Sequence, residues 1–533
     1  MAADKPAASP DSLAKALEAY LADHPQAALL EGGRLLFDMR STRYSITESH
    51  GRCLLQLWSD QQNLLRTVVE VEHRAHSLRI LTRRMGVARP QALELVASRD
   101  TRTPTARDTA RRGYQRLLER VLTRHFLGAR VDGFRSAMDL EHSFGPAYVR
   151  GRLLRGTAAE AVIGISAAES AAAIDGILTL GILWLEHCRR HGDARRHFGG
   201  LKVIVPADAW RTTAERMAWL HHAAAGFELY SLDERSEELI AIDFHDTGNL
   251  ESRLVHSFNA AAAIERCRTG LDSILALIPP GAQSSVELRP RSAAEVALLL
   301  HGLEFARVRR GASAHSFAAQ DDVTFGAGAG ETPLTEQTEP FAREMFARLF
   351  LSRHAGGAPT DPLFRLQPER WLESRLRAQI GELLPGLRGD SIYSQVPALT
   401  SGERGLLDLL TLDRSGRLAV LEVKADEDLH LPLQALDYWI RVRALIDDRK
   451  APTGGSRPLS AFERHGYFPG AELSPLPPRL LLAAPALRIH PANEPVLRYL
   501  SPEVEWELIA LGEHWRHELK VVFRKRSTDP PQT

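Results

Sequence analysis

Apolar residues recur in short runs along the last third of the chain, and one adjoining pair of runs carries charges within it. Leu406–Leu412, with Asp408 inside, and Arg417–Lys424, with Leu421-Glu422-Val423-Lys424 at its end, read as two strands; such runs, bounded by turn residues, are too short for helices. Asp413-Arg-Ser-Gly416 between them has the Asp, Ser and Gly that join antiparallel strands. Side chains alternate across a strand, so Glu422 and Lys424 share one face and Val423 takes the other. With Asp408 on the neighbouring strand, three polar groups are expected to converge on one edge of a small sheet. Charges on otherwise apolar strands are costly unless paired.

The flanks extend this pattern. Pro368-Glu-Arg-Trp-Leu-Glu373-Ser-Arg-Leu-Arg-Ala-Gln-Ile380 opens with Pro in a first turn and keeps a helical period. Ile392–Val396 reads as a strand, Leu431–Ile446 as a helix with Gln434 in its first turn, and Arg479–Ala484 and Val504–Leu511 as further strands. In Asp408, Glu422-Val-Lys424, Gln434 within Gln-Ala-Leu-Asp-Tyr-Trp439, and the helical acid Glu373, residues 365 to 515 resemble the PD-(D/E)xK nuclease superfamily. The resemblance implies a restriction-endonuclease-like αβββαβ core and metal-dependent hydrolysis of phosphodiester bonds, with DNA as the default substrate.

It also implies roles for residues. Hard divalent cations take oxygen ligands, so Mg2+ or Mn2+ would be held by Asp408, Glu422 and the backbone carbonyl of Val423. Glu373 would ligate a second ion or act through a bound water. Lys424 would position or activate the attacking water and offset charge on the transferring phosphoryl group. Gln434 would orient Lys424 or the substrate backbone.

The same unit recurs, degenerate, in the first half of the chain. Ala419-Val-Leu-Glu-Val-Lys-Ala aligns with Ala161-Val-Ile-Gly-Ile-Ser-Ala, and that spacing lays the helix at Pro432–Arg443 over Ile174–Leu185. Further on, a larger spacing aligns Arg479–Pro485 with Gly200–Pro206 and Trp506–Leu511 with Phe227–Leu232; the Pro/Gly-rich stretch Ala451–Pro478 accounts for the change. Internal duplication of an α/β unit is the simplest explanation. Every chemical position is replaced in the first copy: Asp408 falls on Arg150, Glu422 on Gly164, Lys424 on Ser166, Gln434 on Gly176 and Glu373 on Gln115. This predicts a pseudo-nuclease domain that pairs with the second copy, binds nucleic acid, or scaffolds.

Elsewhere the pattern is plainer. Arg34–Met39, Tyr44–Thr47, Cys53–Ser59, Thr67–Glu72 and His76–Leu81 alternate as short strands, predicting an antiparallel meander or small barrel. An arginine-dense stretch from Arg74 to Arg155, with Arg83-Arg84 and Arg111-Arg112, suits either a phosphate backbone or a solvated helical face. Between residues 251 and 340 the sequence predicts an Ala-rich helix near Leu254–Arg268, a strand Ser285–Pro290, a helix Ala293–Phe305 and a strand Val323–Ala327. Phe325-Gly-Ala-Gly-Ala-Gly-Glu331 lacks the Lys-Ser/Thr of a phosphate loop and reads as a turn.

Composition changes this picture little. At 533 residues, 44% hydrophobic and 25% charged, the chain is an ordinary globular sequence with room for several domains. The formal net charge is +0, so attraction to nucleic acid has to be local. Cys53, Cys188 and Cys267 are widely spaced, which argues against zinc ribbons and disulfide frameworks. His187 and His191 stand beside Glu186 with no third ligand in view. The N-terminus lacks an apolar signal core and no apolar run suits a bilayer, so a cytoplasmic location and no membrane partner are expected.

The expected architecture is multidomain α/β: a tail and helix over 1–28, a β-rich domain over 29–100, a degenerate nuclease-like domain over 101–250, an α/β linker module over 251–345, the nuclease-like domain over 346–525 and a disordered tail over 526–533. The expected function is a Mg2+-dependent nuclease acting on DNA, with a homodimer or partner protein left open. The alternative is a non-catalytic nucleic-acid-binding or scaffold protein built from paired nuclease-like folds.

Overall fold

The computed structural model describes residues 9–529 except 26, 32–33, 40–41, 50, 59–62, 75–76, 85–89, 98–103, 140–142, 194, 247, 249–252, 313–318, 329–331, 401–402 and 452–456. The fold is mixed α/β, with four multistranded sheets among the described residues. The chain divides into two units, each drawn from two stretches: Met1–Thr101 with Phe258–Ser374, and Arg102–Ser257 with Arg375–Thr533. Among the described residues, no helix is long and apolar enough to cross a membrane.

In the first unit, a seven-stranded antiparallel sheet runs from Ala28 to Val96. Its strands Arg43–Ser49, Arg52–Trp58, Asn63–His73, Ser77–Arg83 and Gln91–Val96 form the expected meander, although His76 lies outside the described residues. Alternation along Arg52–Trp58 buries Cys53, Leu55 and Leu57 under the helix Pro10–Asp23, which adds Leu13, Leu17 and Leu21 to the same core. Ser9 caps that helix, accepting a hydrogen bond from the Ser12 N–H at 3.2 Å.

The second sheet of this unit corrects two expectations. Ala293–Phe305, expected as a helix, is a hairpin of strands Glu295–Leu300 and Leu303–Ala312. Its apolar run has no helical period because Val296–Leu300 are all buried, and His301 and Gly302 turn the chain with φ of 47° and 74°, the left-handed pair that tight hairpins need. The helix expected from Leu254 begins only at Ala260, where Asn259 accepts from the Ala262 N–H at 3.0 Å, and breaks at Cys267 before resuming over Arg268–Leu275.

The second unit holds two sheets of matching design. In the first, strands β1 (Arg130–Arg135), β2 (Tyr148–Arg155), β3 (Ala158–Ile165), β4 (His197–Pro206), β5 (Gly226–Asp233) and β6 (Glu238–Ile242) lie side by side in chain order. In the second, a short β7 (Arg253–Leu254) precedes β8 (Tyr393–Thr400), β9 (Glu403–Leu412), β10 (Leu418–Val423), β11 (Arg479–Pro485), β12 (Trp506–Leu511) and β13 (Val521–Arg526). Strands β1 to β6 and β8 to β13 share one sequence of pairings: antiparallel twice, parallel twice, antiparallel once. The helices correspond as well. α1 (Pro104–His125) precedes β1, α2 (Ile177–His191) links β3 to β4 and α3 (Arg211–Met217) links β4 to β5. α4 (Leu431–Asp447) links β10 to β11 and α5 (Asn493–Arg498) links β11 to β12.

One core joins these halves. Ile163, Leu185 and Val203 of the first half and Val420, Leu436, Trp439 and Leu482 of the second belong to the same buried cluster. Where the chain leaves α3 and α5, Leu220 and Leu500 pair as an isolated antiparallel bridge, with the His221 N–H on the Tyr499 carbonyl and the Ser501 N–H on the Trp219 carbonyl, both at 2.8 Å. Reciprocal contacts between equivalent segments are the signature of an isologous interface.

Candidate active site

The hairpin of β9 and β10 positions the charged residues. Asp413 Oδ1 closes its turn, accepting from the Ser415 N–H at 2.8 Å and the Arg417 N–H at 3.0 Å, and Gly416 adopts φ 82°. From Leu412/Leu418 the ladder runs to Leu409/Leu421, so the next facing positions are Asp408 and Glu422. There the strands part. The Val423 N–H donates to Asp408 Oδ2 at 3.0 Å in place of a ladder bond. On its other side β10 stays paired with β11 through Val423 and Ala483, and the Lys424 N–H reaches the Ala483 carbonyl at 3.0 Å.

The gap gathers charge. Glu422 is only 5% exposed. Lys424 Nζ stands 3.9 Å from Glu422 Oε1 and 3.5 Å from Asp428 Oδ2, and Val423 packs on the opposite, apolar side at 1% exposure. Gln434 lies in the first turn of α4, whose hydrogen bonding opens with the Gln434 N–H on the His430 carbonyl at 3.0 Å. One turn later on the same face comes Tyr438. Burial, together with the negative charges of Glu422 and Asp408, holds its hydroxyl well above the ordinary tyrosine range, so it stays protonated beside them.

Sequence reasoning missed Asp428 and Tyr438. The acidic run Asp426-Glu427-Asp428 and the four-residue spacing from Gln434 to Tyr438 were the available signals. Glu373 lies on the helix Pro368–Leu383. It is 1% exposed, with Arg370 Nη1 at 2.8 Å and Arg289 Nη1 at 3.4 Å from its two oxygens. Among the described residues no three His, Cys, Asp or Glu side chains cluster as a metal cage. The expected donors are two carboxylates and the Val423 carbonyl, an all-oxygen set suited to a hard cation that keeps several waters.

The corresponding place in the first half is filled. A Cβ on Gly164 would lie 2.7 Å from Leu118 Cδ2 and 3.0 Å from the Tyr114 hydroxyl. The register differs by one residue, with Gly164 facing Val149 and Ile163 facing Arg150. Arg150 is 1% exposed, lies over the Phe144 ring at 4.6 Å and donates to the Ala137 carbonyl at 2.9 Å. Gly176 approaches the second half so closely that a Cβ there would stand 2.6 Å from His430 Cε1. Of the arginine-dense stretch, Arg111 forks onto Glu169 at 2.8 and 3.1 Å, Arg120 and Arg124 pair with Glu237, and Arg130 and Arg152 pair with Asp132.

No protein-family model matches the chain, and no curated protein does. Among solved structures, a crystal structure of a repair endonuclease from Pyrococcus abyssi is similar over 43% of this chain and 98% of that one, at 13% identity and a TM-score of 0.17. Similarity at that level carries no argument about the site.

Proposed function

We propose that the chain is a metal-dependent nuclease that hydrolyses phosphodiester bonds in DNA, with its reaction centre where β9 and β10 part. What carries this reading is the register that brings Asp408 and Glu422 to the next facing positions past Leu409/Leu421, with the Val423 N–H on Asp408 and Lys424 beside Glu422. Two acids facing each other across parting strands would repel at close range, and a divalent cation between them removes that cost.

Asp408, Glu422 and the Val423 carbonyl are the residues that would hold Mg2+ or Mn2+, which supplies neutralisation of phosphoryl charge and a more acidic bound water. The Val423 N–H fixes the rotamer of Asp408. Lys424 brings a compact ammonium to the edge of the acid pair, where it orients a water and balances charge on the transferring group. Tyr438, kept protonated, is a hydrogen-bond donor on the helix side of the site, and Gln434 is a second polar group on that face. Glu373, already engaged by two guanidinium groups, is left out of this ion set.

The shared strand order supports reading the second unit as a duplicated restriction-endonuclease-like core, in which the C-terminal copy keeps the acids. The filled space at Gly164 favours a non-catalytic role, scaffolding or nucleic-acid contact, for the first copy. The test is cleavage of labelled single-stranded, double-stranded and mismatched DNA with Mg2+ or Mn2+, beside Glu422→Gln and Lys424→Ala. Cutting that both variants abolish supports the reading. If the wild type cuts nothing while all three proteins bind DNA alike, the catalytic reading falls and a binding scaffold replaces it.

A further inference from the structure

The helix that lines the candidate site is held from the other half of the unit. Arg216, at the end of α3, is 3% exposed and forks onto Asp437 of α4, with Nε on Oδ1 at 2.8 Å and Nη2 on Oδ2 at 2.6 Å. The same guanidinium donates to the Asp175 carbonyl at 2.7 Å and the Asp175 carboxylate at 3.1 Å, just before α2 begins. One planar, always-charged group therefore ties α3, the start of α2 and α4 together, which a lysine's single point charge could not reproduce.

Asp437 lies between Gln434 and Tyr438 in sequence, on a helix packed against β10, the strand that carries Glu422. The arrangement is one-sided. The spacings that overlay the two halves put Arg216 on Pro495 and Asp437 on Thr179, so the second half has no matching Arg–Asp fork; its reach to α2 is the Tyr499 hydroxyl on Glu186 and Arg189. A generic interface ion pair in a duplicated fold would be expected in both copies. This one serves only the copy that keeps the acids.

We propose that Arg216 of the degenerate half is a positioning residue for the C-terminal site, setting the placement of α4, and with it Gln434 and Tyr438, through its forked ion pair with Asp437. The proposal rests on the nuclease reading above. Small displacements of groups around a reaction centre lower turnover steeply while leaving remote substrate contacts intact.

The test uses the full chain and compares wild type, Arg216→Lys, Asp437→Asn, the exchanged pair Arg216→Asp with Asp437→Arg, and Tyr499→Phe as a control. Tyr499 also bridges the halves, accepting from Arg189 Nη1 at 2.7 Å, but lies on neither α4 nor the hairpin. Cleavage kinetics are taken per folded molecule, and amide hydrogen exchange of residues 433–441 is followed without metal. For Arg216→Lys and Asp437→Asn, kcat should fall about tenfold or more while KM stays within about twofold. Exchange in the first turns of α4 should quicken while β10 stays protected, the exchanged pair should recover part of the loss, and Tyr499→Phe should match wild type. Unchanged kcat in both single variants, or a fall with α4 exchange unaltered, overturns the positioning role. An equal fall in Tyr499→Phe overturns it too, because generic loosening of the halves then suffices. Absence of cleavage by the wild type brings down the nuclease reading, and this proposal with it.

Discussion

Asp408 accepts a hydrogen bond from the backbone N–H of Val423 at 3.0 Å, standing where β9 would have offered a carbonyl had the ladder run further. The carboxylate thus closes the end of a strand pair and supplies charge to the gap beyond it, and substitution separates the two roles. Asp408→Asn keeps an acceptor and removes the charge, so cleavage should fall at least about 100-fold with little change in melting temperature. Asp408→Ala leaves the N–H without its acceptor at a cost of about 1–3 kcal/mol. Melting curves and cleavage rates of both variants check this; equal melting temperatures would remove the structural half of the claim.

Glu422 and Lys424 should part company in metal binding. Glu422→Gln removes a proposed ligand and should weaken Mn2+ binding by about tenfold or more. Lys424→Ala removes a cation 3.9 Å from that proposed ligand and should leave binding unchanged or tighter, although both variants should abolish cleavage. Titration followed by electron paramagnetic resonance distinguishes the two.

Placing an acid at the corresponding position of the first half should fail. Gly164→Glu drives a side chain into Leu118 and Tyr114 and buries a carboxylate among them. Overpacking alone costs about 1–3 kcal/mol, and an unpaired buried charge adds to it. The variant should melt well below wild type and bind no additional Mn2+; a folded protein with one more metal equivalent would show that the space is more yielding than the close approach implies.

His430 gives the second unit a pH dependence. Chiefly because it is buried, its folded pKa lies below the ordinary 6.5; Arg216 and His490 act in the same sense, and Asp428 and Asp175 pull the other way without reversing it. The folded state therefore favours the neutral ring. Its contribution to stability is complete above the unfolded pKa and is lost as pH falls through the folded one. Replacing it by Gln should flatten the stability curve between about pH 7 and 5, by at most about 1.4 kcal/mol per pH unit for one group. Urea unfolding of both proteins across that range measures the difference, and parallel curves would refute it.

Local chemistry was the readable part of the sequence. The turn at Asp413–Gly416 and the alternation that puts Lys424 near Glu422 follow from a few neighbouring residues, and the structure has both. Ala293–Phe305 was misread because an apolar run buried on both faces looks alike as helix or strand, and the decisive signal, two successive left-handed residues at His301 and Gly302, is backbone geometry that only glycine half announces. The setting of Glu373 depends on Arg289, far away in sequence. Arg216 and Asp437 lie further apart still, and no local pattern could have joined them.

The bridge between Leu220 and Leu500 joins two halves of one polypeptide. In an assembly of identical subunits each substitution appears twice, and dilution separates the partners. Here neither holds. The halves cannot drift apart at low concentration, and the first can keep Gly176 where His430 presses close without imposing a glycine anywhere on the second, so each side is free to differ from the other.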